Sequence, residues 1–251
     1  MTNWEAGHTQ AVTNFMYRQT IMFIAGLYVY EYMCTFWFDW YLVTRKIVFK
    51  WPYVPYLVGR YLILLVLCGL IAINNITRPL NCEVVMPFLI TAGLIAGACA
   101  TCNLMIRTVV MWGHRREIVF VLILLSLGQV AFSVYAGTSL VKSHFCTTLR
   151  TCNVDYSGHT IFSSVFVYTV SYEFLVLVLT WIRVSKSSLM ATLRSQGLWY
   201  FLLTFMVNLP AAVFPWLDLN DTMNMMFYTP GWSQIEISIR KLIVVPIQQR
   251  P

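Results

Sequence analysis

Apolar runs of about twenty residues, each closed by a short polar or basic segment, recur along this chain. A helix needs about 20 predominantly apolar residues to cross a ~30 Å hydrocarbon core. The pattern therefore predicts membrane spans over residues 22–43, 54–73, 84–108, 118–140, 161–182 and 198–217. A seventh, over 223–245, is marginal in hydropathy because it holds Pro230, Gly231, Ser233, Glu236 and Arg240. Ser233, Glu236 and Arg240 share one helical face, a polar stripe suited to a span shielded by its neighbours. The alternative is six spans and an amphipathic tail on the membrane surface. Residues before about 20 are polar and mixed in charge, unlike a cleavable signal, so the first span is expected to act as its own insertion signal. The longest polar loop covers 142–160. The fold class expected is all-α: a seven-transmembrane-helix bundle forming one integral membrane domain over residues 1–251.

Composition strengthens this picture. Of 251 residues, 59% are hydrophobic and 11% charged, against about 25% charged in soluble domains, and mean hydropathy is +0.67. No sizeable soluble domain fits. The net charge of +7 suggests nucleic acid only until its distribution is read, because the bases fall in short clusters between spans. With the N-terminus outside, the inner segments hold Arg45, Lys46 and Lys50, then Arg107, Arg115 and Arg116, then Arg183, Lys186 and Arg194, and finally Arg240, Lys241 and Arg250. The outer segments hold Arg18, Arg78, Lys142 and Arg150. That bias places the N-terminus outside and the C-terminus in the cytoplasm. The expected surroundings are a lipid bilayer of the plasma membrane or an endomembrane, with no nucleic acid; a cytoplasmic partner is not named by any motif.

Cysteines and sequons agree with the topology. Cys34, Cys68, Cys99 and Cys102 fall within spans, whereas Cys82, Cys146 and Cys152 fall on the oxidising outer side. A bridge from Cys82 to Cys146 or Cys152 would pin the long loop across the helix mouths; a Cys146–Cys152 bridge would close only a local loop. Both N-x-S/T sequons, at Asn75 and Asn220, also lie outside, near helix ends.

The chemistry-bearing residues are those buried in apolar runs: Glu31, Asp39, Arg60, Glu173 and Glu236, with Asn103 and Asn208. An ionisable group there costs roughly 2.5–3.5 kcal/mol on insertion scales, so it should face protein or water and find a partner. Asp39 lies about five residues before the first inner loop and Arg60 about seven after it. At 1.5 Å per residue the depths are roughly 7 and 10 Å, which predicts a structural ion pair between them. Glu31, about 12 Å further out, is left as the first candidate for a functional acid, with Glu173 second. Glu31, Arg60, Glu173, Asn103 and Asn208 are the candidate ligand contacts. Arg107 and Arg183, near inner helix ends, are expected to snorkel.

These residues also resemble a family. Val29-Tyr30-Glu31-Tyr32, Thr35, Asp39, Arg45-Lys46 and Arg60-Tyr61 resemble the N-terminal signature of fungal seven-helix membrane proteins known as domain of unknown function 6533. The similarity continues through Leu104 to Thr108 with Trp112, Tyr172 to Leu175, Leu198 to Phe201 with Asn208, and Ile237 to Arg240. This chain has Glu31 for the family's Asp, and Trp37-Phe38 where charged residues are usual. The resemblance implies seven helices in a fungal membrane and no defined activity.

Other motifs favour packing over chemistry. Gly93 and Gly97 form a small-xxx-small step that predicts a central third helix. Cys99-x-x-Cys102 on an apolar helix reads as packing. His144, Cys146, Cys152 and His159 have zinc-ligand chemistry, but an oxidising loop favours a disulfide, so no metal or other cofactor is expected. Asp218, Asp221 and their neighbours resemble a Mg²⁺-diphosphate motif, yet no second acidic motif faces them and they lie outside. The function expected is a receptor-like membrane protein for a small lipophilic ligand. Two alternatives stand beside it: a membrane-embedded enzyme acting on an isoprenoid or lipid, terpene-cyclase-like, with Glu31 or Glu173 as general acid, or an accessory membrane protein. No inverted repeat or broken helix pair points to a transporter.

Overall fold

The computed structural model describes residues 7–44, 51–75, 81–113, 115–139, 141–146, 151–156 and 159–185, with eight further helical residues between 202 and 213. Five helices account for most of it: α1 (Gly7–Val43), α2 (Tyr53–Asn75), α3 (Cys82–Met111), α4 (Arg116–Ser139) and α5 (His159–Ser185). All five are long and apolar enough to cross a membrane. The first five expected spans each fall inside or within a residue or two of one of them. The eight residues between 202 and 213 lie within the expected sixth span; the expected seventh span, with Glu236 and Arg240, lies outside the described residues.

Two elements extend beyond what was expected. Helix α1 starts at Gly7, well before residue 22. Between His8 and Ile21 there is neither proline nor glycine to break it, and Thr13 and Ile21 are buried, so the helix runs on through the polar sequence ahead of the expected span. The 142–160 loop is not irregular: β1 (Val141–Cys146) and β2 (Thr151–Tyr156) form an antiparallel hairpin in register from Val141↔Tyr156 to Cys146↔Thr151. Valine, threonine, phenylalanine and tyrosine suit strands, and pairing satisfies backbone groups beside an apolar bundle. Among the described residues the fold is therefore helical with one small sheet.

Helix α3 is the hub. It packs against α2, α4 and α5 and also meets β1. Half of its apolar stretch is buried, against 22% for that of α4, so α4 leaves most of its stretch exposed. Small residues make this possible: Ala92, Gly93, Ala96, Gly97 and Ala100 are all buried. Gly137 of α4 lies so close to Thr91 of α3 that a Cβ there would sit 3.0 Å from the Thr91 Cα. A short connection reverses the chain between α3 and α4. Gly113 takes φ +65° and donates its N–H to the Val110 carbonyl at 3.1 Å, the left-handed close that glycine permits without steric cost. At the start of α2, Pro55 occupies the first turn, where its missing N–H removes no intrahelical bond.

Candidate functional site

The richest polar cluster lies between α1 and α2. Arg60 is fully buried and Asp39 is 3% exposed. Arg60 Nη1 lies 2.8 Å from Asp39 Oδ1, the contact expected from their matched depths. The same Nη1 donates to the Tyr56 hydroxyl at 3.0 Å, and Nη2 donates to the Tyr32 carbonyl at 3.1 Å. The guanidinium stands 4.4 Å from the Tyr32 ring centroid, where the negative ring face attracts a cation. Tyr61 adds a long hydroxyl contact to Asp39 Oδ2 at 3.4 Å, and Tyr28 donates to the Arg60 carbonyl at 2.8 Å. Arg60 Nε is buried and has no hydrogen-bond partner. Two helices thus hold one cation with a carboxylate, a phenol, a carbonyl and an aromatic face.

Glu31 stands apart from this cluster. It is half-buried, and its backbone carbonyl accepts from Thr35 Oγ1 at 2.9 Å. Its carboxylate makes no hydrogen bond or ion pair among the described residues. The deeper acid is Glu173, 3% exposed. Asn208 Nδ2 lies 2.7 Å from one Glu173 carboxylate oxygen and 2.9 Å from the other, tying α5 to the helical residues between 202 and 213. Among the described residues no cation reaches this carboxylate. Two of the candidate ligand contacts, Glu173 and Asn208, are therefore brought together. Glu31 and Glu173 are not, and Asn103 bonds within its own helix to the Cys99 carbonyl at 3.0 Å.

A third polar line crosses α3, α4 and α5. Thr101 Oγ1 donates to Gln129 Oε1 at 2.9 Å, and Gln129 Nε2 donates to Thr169 Oγ1 at 3.3 Å. Cys102 and Ser126 meet at 2.9 Å, and Thr108 and Thr180 at 3.0 Å. Sequence reading assigned no role to Gln129 and Tyr56, and to Tyr32 only a place in the family signature. A glutamine inside an apolar run, and tyrosines four residues before Arg60 and seven before Asp39, were the signals available.

Cys82 is buried and disulfide-bonded. The side chains of Cys146 and Cys152 lie outside the described residues, and with them the choice of partner. Cys99 and Cys102 carry thiols and are not joined to each other. Asn75 ends α2 with its Nδ2 donating to the Ile71 carbonyl at 2.8 Å; Asn220 and the Asp218–Asp221 cluster lie outside the described residues.

No protein-family model, curated protein or solved structure matches this chain.

Proposed function

We propose that this chain is a receptor-like membrane protein that senses a small lipophilic ligand, with seven helices, an outer N-terminus and a cytoplasmic C-terminus. Kinship with the fungal seven-helix family belongs to the same reading. One observation carries it: Glu173, a buried acid, is held by Asn208 on a different helical segment and, among the described residues, not by a second acid or a base. General acid–base chemistry needs an acid aimed at a reacting atom, with groups around it that set its proton affinity. Here the buried polar groups link helix to helix instead: Asp39 to Arg60, Thr101 to Gln129 to Thr169, Thr108 to Thr180, Glu173 to Asn208. A ligand that competes for one such contact shifts the packing of two helices, which is how a binding event is relayed.

The test is a thermal-shift screen of the detergent-purified chain against sterols, fatty acids, isoprenoid alcohols and lipophilic amines. A receptor gives saturable stabilisation by at least one class, lost in Glu173→Gln or Asn208→Leu. In parallel, incubation with isoprenoid diphosphates and Mg²⁺ is followed by mass spectrometry. Product formation that Glu173→Gln abolishes replaces the receptor reading with the enzyme.

A further inference from the structure

We propose that the basic end of α3, α4 and α5 holds the phosphate of an anionic phospholipid. Two hydrogen bonds between α3 and α5 fix one arginine at this end. Trp112, the residue that ends α3, donates its indole N–H to the Leu179 carbonyl of α5 at 3.2 Å. Arg183 of α5 reaches back and donates Nε to the Met111 carbonyl at 3.0 Å, one of the four carbonyls that a helix C-terminus leaves without an intrahelical donor. Its guanidinium stands 5.9 Å from the Trp112 ring centroid. One hydrogen bond and one ring face thus fix the Arg183 head, while neither Nη group has a partner among the described residues. Two further guanidinium groups, those of Arg115 and Arg116, are exposed in the same short connection, where α4 begins. Glu117 is the only acid among the described residues of this connection and the end of α5.

The surroundings choose the ligand. A tryptophan at a helix end beside arginines is the arrangement of a membrane–water interface. The surface leading away from it into the membrane is apolar: Phe120 and Leu124 on α4, and Trp181 and Ile182 on α5, are exposed. A bound molecule therefore needs an anionic head and hydrocarbon tails. Three guanidinium groups against a single carboxylate among the described residues of this end favour an anionic headgroup over a zwitterionic one, and planar guanidinium forks match phosphate oxygens. The charge bias along the chain assigns this end to the cytoplasmic leaflet, where anionic lipids concentrate. The site is separate from Glu173 and Asn208, so it stands or falls independently of the ligand reading above.

The test uses the full chain in detergent micelles, titrated with phosphatidylserine or phosphatidylcholine and read by native mass spectrometry. Phosphatidylserine is expected to remain bound where phosphatidylcholine does not. Each arginine near an anionic surface contributes roughly a fivefold factor, so Arg115→Gln/Arg116→Gln should weaken retention about 25-fold. Glu117→Gln should strengthen it about fivefold on the same scale. Because Arg183 also caps α3, Arg183→Lys, which keeps the charge and loses the fork, accompanies Arg183→Gln; both should retain less lipid than the native chain. Equal retention of the two lipids, or unchanged retention in the Arg115→Gln/Arg116→Gln protein, overturns the proposal. So does displacement of the lipid by millimolar inorganic phosphate, which would mark a site for a soluble anion.

Discussion

Breaking the Arg60–Asp39 pair should reveal a strong coupling inside a nearly neutral whole. At the ~4 Å between charge centres usual in such a pair, the attraction is about 4 kcal/mol with an effective dielectric of about 20. Desolvating both ions costs several kcal/mol apiece, so the intact pair roughly breaks even and its other contacts decide the balance. Those contacts are the Tyr56 hydroxyl, the Tyr32 carbonyl and the Tyr32 ring, the ring alone being worth about 2 kcal/mol when desolvated. Asp39→Asn leaves the cation with these neutral partners and should cost about 3 kcal/mol; Arg60→Gln, which also discards them, should cost about 3–5 kcal/mol. The double variant removes both charges, and its loss should be at least 1–2 kcal/mol smaller than the sum of the single losses. Thermal unfolding in detergent, with each variant's folded yield by gel filtration, reads this out. At about 2–4 °C per kcal/mol for a chain of this size, the single variants should fall roughly 6–20 °C. Strictly additive losses would show that the contact between Arg60 and Asp39 carries no energy, and the depth argument behind it would fail.

Other expectations follow from the packing. Gly137→Ala should lower the unfolding midpoint by the equivalent of about 1–3 kcal/mol, since its new methyl meets the Thr91 backbone; Gly128→Ala should cost less, because its neighbour is the terminal hydroxyl of Tyr168 at 3.0 Å. Gln129→Leu removes two interhelical hydrogen bonds, and at about 0.6 kcal/mol each in a membrane should lower stability by only about 1 kcal/mol; a loss several times larger would make Gln129 more than a helix link. Non-reducing peptide mapping should recover Cys82 joined to Cys146 or Cys152, and a free Cys82 thiol in the native protein would refute that pairing. A protease-sensitive tag after Arg250 should be protected in intact cells and cut only after permeabilisation; cleavage from outside would invert the proposed topology.

Hydrocarbon thickness made much of this protein legible in its sequence. The number of apolar residues needed to cross a bilayer is fixed by 1.5 Å of rise per residue, so the limits of α2 to α5 could be read from hydropathy to within a few residues. Depth was legible for the same reason, and Asp39 and Arg60, placed at similar depths by counting, are in contact. The small-residue run from Ala92 to Ala100 likewise announced that α3 would be central, because only small side chains let backbones approach that closely. Rotation about each helix axis and the crossing of one helix over another are set by packing, and there the tertiary structure decided. It chose Tyr32 and Tyr56, not Glu31, as the further partners of Arg60, and it aligned Gln129 with Thr101 and Thr169 across three helices. It brought Asn208 to Glu173 from 35 residues away in sequence. It also made strands of residues that read as a polar loop, because the hairpin gains from pairing and from resting on α3, and neither gain is visible in a local pattern of six residues. Hydropathy measures the cost of each residue in lipid one position at a time; which polar groups share that cost depends on neighbours that only the folded bundle supplies.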